Sequence, residues 1–234
     1  MQEFGEIFGL AIGLIVSADK NLLEIIFLSL RVSLSAVLIS CLIGMPLGAM
    51  LGMTRFRGHG AVLILLNALM GLPPVVVGLM VYLLLSRAGP LGPMGLLFTP
   101  TAMVIAQSII VLPIIAALAR QTIADLHEEY DEYLRSLGCT RMQSVATLLW
   151  DGRFRLLTAV MAGFGRAIAE VGAVIIVGGN IQHSTRVMTT TIALETSKGN
   201  LALALGLGLI LVTLALGINA AALVVSDAAR RRYG

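Results

Sequence analysis

Leu201–Val225, LALALGLGLILVTLALGINAAALVV, runs for twenty-five residues without one ionisable side chain. A helix needs about 20 apolar residues to cross the hydrocarbon core of a bilayer, so this stretch is long enough to span. Four more stretches, of 19 to 25 residues, have similar character: Val32–Met53, Ala61–Leu85, Thr101–Ala119 and Leu156–Val177, the last enclosing Arg166 and Glu170. In lipid a helix satisfies its own backbone groups without neighbours, so each stretch is expected to be helical. The reading is an all-α polytopic membrane protein, a single transmembrane domain over residues 1–234 with about five crossings.

Composition agrees. Hydrophobic residues make up 58% of the chain and charged residues 12%, against roughly one-quarter charged in an average soluble domain. The net charge of +3 is scattered between apolar runs, and aromatic residues are only 5%, which argues against a nucleic-acid partner. The first twenty residues lack a basic start and carry Glu3 and Glu6, so no cleaved signal peptide is expected. The apolar stretch Ile7–Ser17 is too short to span.

Orientation follows from the cations. With the N-terminus outside, the inner segments hold Arg55, Arg57, Arg120, Arg135, Arg141, Arg153, Arg155 and Arg230 to Arg232, ten in all. The outer segments hold Lys20, Arg31, Arg87, Arg186 and Lys198, five in all. That asymmetry places the N-terminus outside and the C-terminus in the cytoplasm, in the cell membrane of the producing cell. Pro73-Pro74 in the second span and Pro113 in the third imply kinks or breaks. The inner segment Arg120–Arg155 is long and charged. Its apolar positions Ile123, Leu126, Tyr130, Leu134 and Leu137 recur at helical spacing, predicting a short amphipathic helix, a turn at Gly138 and a second helix over Arg141–Leu149.

Within that inner segment, Glu132 through Arg141 (EYLRSLGCTR), with Leu148 ten residues after Gly138, resembles the EAA loop of ABC importer permeases. The two Ala positions of that motif are Tyr133 and Leu134 here, and its usual Ile-x-Leu-Pro ending is Leu148-Leu149-Trp150-Asp151. Ser29–Ser33 leading to Gly44–Gly48, and Gly71–Gly78 (GLPPVVVG), resemble the first two core spans of such permeases. Gly165–Ala173 (GRAIAEVGA), closing on Gly178-Gly179-Asn180, is similar to permeases for tetrahedral oxyanions. Thr185–Thr191 with Ile192–Thr196 most resembles the tungstate branch of that group.

The resemblance implies a type I-like permease subunit that imports tungstate, or alternatively molybdate or sulfate. It implies a homodimer, because one chain has only five spans. It also implies a pair of ATPase subunits docking on a cytoplasmic coupling loop near residues 120–155, at Glu132, Gly138, Cys139, Thr140 and Leu148, and an extracytoplasmic binding protein that delivers the anion. ATP would be used by the partner subunit. This chain is expected to hold no cofactor and to be no enzyme.

Arg166 and Glu170 are four apart within one span. On a continuous helix they share a face, as a structural pair or as part of the translocation path, since a lone charge in the bilayer costs a few kcal/mol. Asn180, Thr185, Arg186, Thr189 and Thr190 in the outer loop offer hydrogen-bond donors and one cation, suited to a weakly held oxyanion at the outer mouth. A solvated loop that only meets a partner protein is the competing reading. Lys20 and Lys198 are the only lysines and neither sits in a phosphate-binding loop. His59, His127 and His183 are too scattered for a zinc site, and Cys41 and Cys139 lack partners at ligand spacing. An integral-membrane enzyme, which would gather His, Asp or Cys near one interface, or a secondary transporter, which would show repeated halves, is the remaining alternative.

Overall fold

The protein is described from a computed structural model, and the residues it describes are 13 and 20–233. The expectations for the segment before Lys20 lie outside the described residues, Gly13 excepted. The described residues form nine α-helices and one short 3-10 turn. In chain order these are α1 (Lys20–Met53), α2 (His59–Met70), α3 (Pro74–Leu85), the turn Gly92–Met94, α4 (Pro100–Ser136), α5 (Arg141–Asp151), α6 (Arg153–Ile168), α7 (Gly172–Gly178), α8 (Met188–Ser197) and α9 (Leu201–Tyr233). Three of them, α1, α4 and α9, are long and apolar enough to cross a membrane. The count is five if the interrupted pairs α2/α3 and α6/α7 are each one span.

The elements depart from the expected segments in instructive ways. α1 starts at Lys20 rather than Val32. The amphipathic stretch after the third span is not a separate helix. It continues α4 unbroken from Pro100 to Ser136, with Pro113 inside, because a helix already nucleated extends by one hydrogen bond per residue and needs no new nucleus. Pro46 is likewise accommodated within α1. The second span does break, at Gly71–Pro73, with Pro74 in the first turn of α3, where the missing N–H costs nothing. The fourth span also breaks, between Ile168 and Gly172, where the sequence has no proline.

The chain folds into two compact units. Among the described residues, the first comprises 20–35, 73–107 and 168–220, and the second 36–72, 108–167 and 221–233. In the first unit α7 lies against α3: a Cβ at Gly78 would come within 2.7 Å of the Ala173 backbone, so only glycine permits this approach. Leu22, Met188 and Leu207 form a second buried cluster there. Beside it Ser29 Oγ accepts the Met188 N–H at 2.8 Å and donates to the Ile25 carbonyl at 2.7 Å.

In the second unit Gly44, Gly48 and Gly52 form a stripe on one face of α1 that rides against α4. A Cβ at Gly48 would strike the Ala116 carbonyl and stand 2.9 Å from both Ala119 Cβ and Arg120 N; at Gly52 it would stand 2.8 Å from the Arg120 carbonyl. Small residues every fourth position let membrane helices touch backbone to backbone. Higher on the same seam Ser40 Oγ donates to the Ser108 carbonyl at 3.2 Å, and Ser108 Oγ to that of Ala36 at 3.4 Å. The stripe and these serines extend the Gly44–Gly48 motif in a way its sequence reading did not include.

Candidate functional site

The segment expected to couple to an ATPase is built in the second unit around the turn between α4 and α5. α4 ends in a paired hydrogen-bond closure: the Gly138 N–H donates to Arg135 O at 3.0 Å, and the Cys139 N–H to Leu134 O at 3.1 Å. This closure needs a left-handed residue, and Gly138 supplies it at φ 65°. Two residues on, Thr140 opens α5 with a reciprocal cap. Its N–H donates to Gln143 Oε1 at 2.8 Å, while Gln143 N–H reaches back to Thr140 Oγ1 at 3.4 Å. Gly138, Cys139 and Thr140 are therefore the turn itself: one terminates a helix, one completes the closure, one starts the next helix.

Beneath the corner, Leu148 is fully buried among Ala49, Ala119, Ile123, Leu126, Leu134, Val145 and Leu156. A Cβ at Gly152 would meet Leu126 Cδ1 at 2.8 Å, so α5 is pressed closely onto α4. The outer face is different. Tyr133, Leu137, Met142 and Trp150 are each about 70% exposed, at 74, 74, 75 and 69%. Glu132 is exposed beside them. Arg153 stacks over Trp150 at 4.8 Å and donates to its carbonyl at 2.7 Å, holding the indole at the end of α5. Asp131 joins Arg135 through contacts of 3.0 and 2.9 Å.

The charged residues of the fourth span do not share one helix. Arg166 occupies the last turn of α6, where the helix dipole favours a cation. Glu170 lies beyond the end of that helix, so the same-face spacing derived for a continuous span does not apply. Its buried carboxylate accepts the Ala173 N–H at 3.0 Å and so caps the start of α7. Its carbonyl accepts from Thr189 Oγ1 at 2.8 Å. The Glu170 position had a sequence signal only in hindsight: an acid just before Gly172 and a fresh apolar run.

The outer-loop hydroxyls are directed inward. Thr185 is fully buried, donates to the Gly178 carbonyl and accepts the Ile181 N–H. Thr190 donates to Asn180 Oδ1 at 2.9 Å, and Asn180 adopts φ 49° to meet it, a conformation its short polar side chain tolerates. Arg186 is different: its Nε is buried with no hydrogen-bond partner among the described residues. The structure thus brings Asn180, Thr185 and Thr190 together as a clasp for the loop, ties Thr189 to Glu170, and leaves the buried Nε of Arg186 without a hydrogen-bond partner among the described residues.

One residue of this region was not singled out from sequence. Glu195, buried near the end of α8, accepts from Lys198 Nζ and Asn200 Nδ2, both at 3.0 Å. The Lys198 hydrogen bond holds its carboxyl below the usual range against the opposing effect of burial, with further help from Asn200 and Arg186. Among the described residues no three His, Cys, Asp or Glu side chains gather as a metal ion would require.

With this geometry in place, comparison with known proteins is informative. The tungstate uptake system permease protein TupB of Peptoclostridium acidaminophilum is 41% identical over 220 residues, covering 94% of this chain and 96% of the relative. A probable anion ABC transporter permease protein of Haloferax volcanii is 39% identical over 218 residues, 91% and 94% of the two chains. The tungstate uptake system permease protein TupB of Campylobacter jejuni is 37% identical over 195 residues, 83% and 82%. The family model for the binding-protein-dependent transport system inner membrane component matches residues 44–232, a span that includes the glycine stripe, the α4–α5 corner and the capped break at Glu170, and the chain belongs to that family.

Proposed function

We propose that the chain is the membrane-spanning subunit of an ATP-driven importer that carries tungstate across the cytoplasmic membrane unchanged. The α4–α5 corner carries the coupling part of this reading. Its underside is packed on Leu148, while Tyr133, Leu137, Met142 and Trp150 stand out from it. A rigid corner with exposed aromatic and apolar anchors is a surface that transmits force to a partner, and aromatic anchors dominate binding energy at such surfaces. The partner is an ATPase subunit, one for each copy of the chain in a homodimer, since five crossings make half a pathway. The chain itself is not catalytic.

The substrate reading is supported by the two tungstate uptake relatives, and molybdate and sulfate are the competing cargoes. Arg186, the half-buried cation of the outer loop, is the residue that would meet an anion delivered by an extracytoplasmic binding protein. The excess of arginine in the expected inner segments supports an outside N-terminus and a cytoplasmic C-terminus. ATP binding draws the corners together and opens the path outward; hydrolysis resets it. Reconstitution tests this directly. Proteoliposomes holding the chain with its ATPase and binding protein should take up tungstate only with ATP. Uptake by the chain alone without ATP would overturn the proposal, and uptake of sulfate in preference to tungstate would overturn the substrate.

A further inference from the structure

In the second unit a cleft of about 440 Å³ opens between the end of α1 and the start of α5, lined by Arg55, Arg135 and Arg141 on its polar side and by Met50 and Met53 on its apolar side. Asp131 is the carboxylate lining it, and Arg135 already grips that group. Glu128 lines the adjoining groove, so three guanidiniums still face two carboxylates. Arg55 and Arg141 form no ion pair among the described residues, and both are exposed. His127 also lines the cleft, its Nε2 3.6 Å from Asp131 and its buried Nδ1 without a hydrogen-bond partner among the described residues. Two free cations, Arg55 just past the end of α1 and Arg141 at the start of α5, are poised for an anion.

The apolar wall says which anion. Ile43, Leu47 and Met50 are exposed at 51, 41 and 54% and follow one another at helical spacing along α1 to the cleft. The opposite face of α1, with Gly44, Gly48 and Gly52, is the one packed on α4. A free tungstate or phosphate ion has no use for such a track, whereas a phospholipid has a phosphate for the arginines and an acyl chain for the track. We infer that this cleft binds one anionic phospholipid, its headgroup phosphate clamped by Arg55 and Arg141 and one acyl chain lying on the Ile43–Leu47–Met50 face of α1. The inference needs only that α1 spans the bilayer, and does not depend on the transported cargo.

The test uses the full chain extracted in mild detergent and native mass spectrometry, with phosphatidylglycerol or phosphatidylcholine added as the probe. One phosphatidylglycerol should be retained in preference to phosphatidylcholine. Arg55→Gln with Arg141→Gln should weaken its retention about twenty-five-fold, at about fivefold per arginine near an anionic membrane surface. Arg55→Lys with Arg141→Lys, a charge-keeping control for folding, should retain it. Met50→Gln should weaken the lipid. Equal retention of the two lipids, or undiminished phosphatidylglycerol on the double Gln variant, would overturn the site. Displacement of the lipid by millimolar phosphate or tungstate would reassign the cleft to a free oxyanion, and displacement by the ATPase subunit would reassign it to that partner.

Discussion

Gly138 and Glu170 show how much of this protein rests on single backbone requirements. A side chain at Gly138 would meet nothing within 4 Å, so its demand is conformational only, the left-handed φ of 65°. Gly138→Ala should therefore cost about 1 kcal/mol in the thermal stability of the detergent-purified protein, and Gly138→Asn should lose less because Asn visits that region. Glu170 makes a different demand. Removing its carboxylate leaves the Ala173 N–H without the acceptor that meets it at 3.0 Å. Glu170→Ala should cost about 1–3 kcal/mol, and Glu170→Gln, which keeps an oxygen in place, should restore much of it. Equal losses in the two Glu170 variants would show that the charge, not the cap, is what the site needs. The turn at Gly138 was legible from the sequence, whereas the capping role of Glu170 was not. The sequence offered the acid as a structural partner of Arg166 or as part of the path, and its capping role came to light only with a helix break that no proline announces.

Elements in this protein are held by close approach and by their ends. The glycine stripe of α1 sets its distance from α4, so Gly48→Leu should sharply reduce the folded yield by size-exclusion chromatography, at the upper end of the roughly 1–3 kcal/mol that overpacking costs. Gly217→Leu in α9, where a Cβ would meet nothing within 4 Å, should be tolerated. The end of α8 depends on ionised Glu195. Because its carboxyl is held below the ordinary value of 4.5, its stabilisation is complete above that pH and is lost as pH falls below it toward the lowered native value. Thermal unfolding measured from pH 6 to 3 should show the difference between wild type and Glu195→Gln narrowing below pH 4.5. A constant difference would sink this linkage. At this scale the five apolar stretches were legible from run length. The continuity of α4 past its membrane segment was not, because charged helical periodicity looks alike whether a helix begins there or merely carries on.

For the whole molecule, the corner between α4 and α5 is the surface proposed above for docking of the ATPase subunit. Trp150→Ala should weaken ATPase docking by about 2 kcal/mol, the scale of an aromatic anchor. Glu132→Arg should leave the chain folded, since Glu132 is exposed, while reducing ATP-dependent uptake in proteoliposomes. Normal uptake by both variants would place the docking surface elsewhere. The exposed apolar side chains of α9, among them Leu216 and Val224 at 67% each, complete the picture of a chain whose outside is made for lipid and neighbouring subunits rather than for water.

What the sequence determined by itself was the solvent and the architecture. Twenty-five uncharged residues at Leu201–Val225 cannot be hidden in a chain of this size, and burial in lipid leaves helices as the only answer. The motifs at Glu132–Leu148 and Gly165–Ala173 pointed to the family for the same reason: they are local runs, readable without neighbours. Tertiary structure alone decided which donors were spent. Thr185, Thr189 and Thr190 look free in the chain and are committed in the fold, whereas Arg186 keeps a nitrogen unpartnered. A hydroxyl is used up by a carbonyl that distant contacts bring to it, and no residue spacing records that meeting.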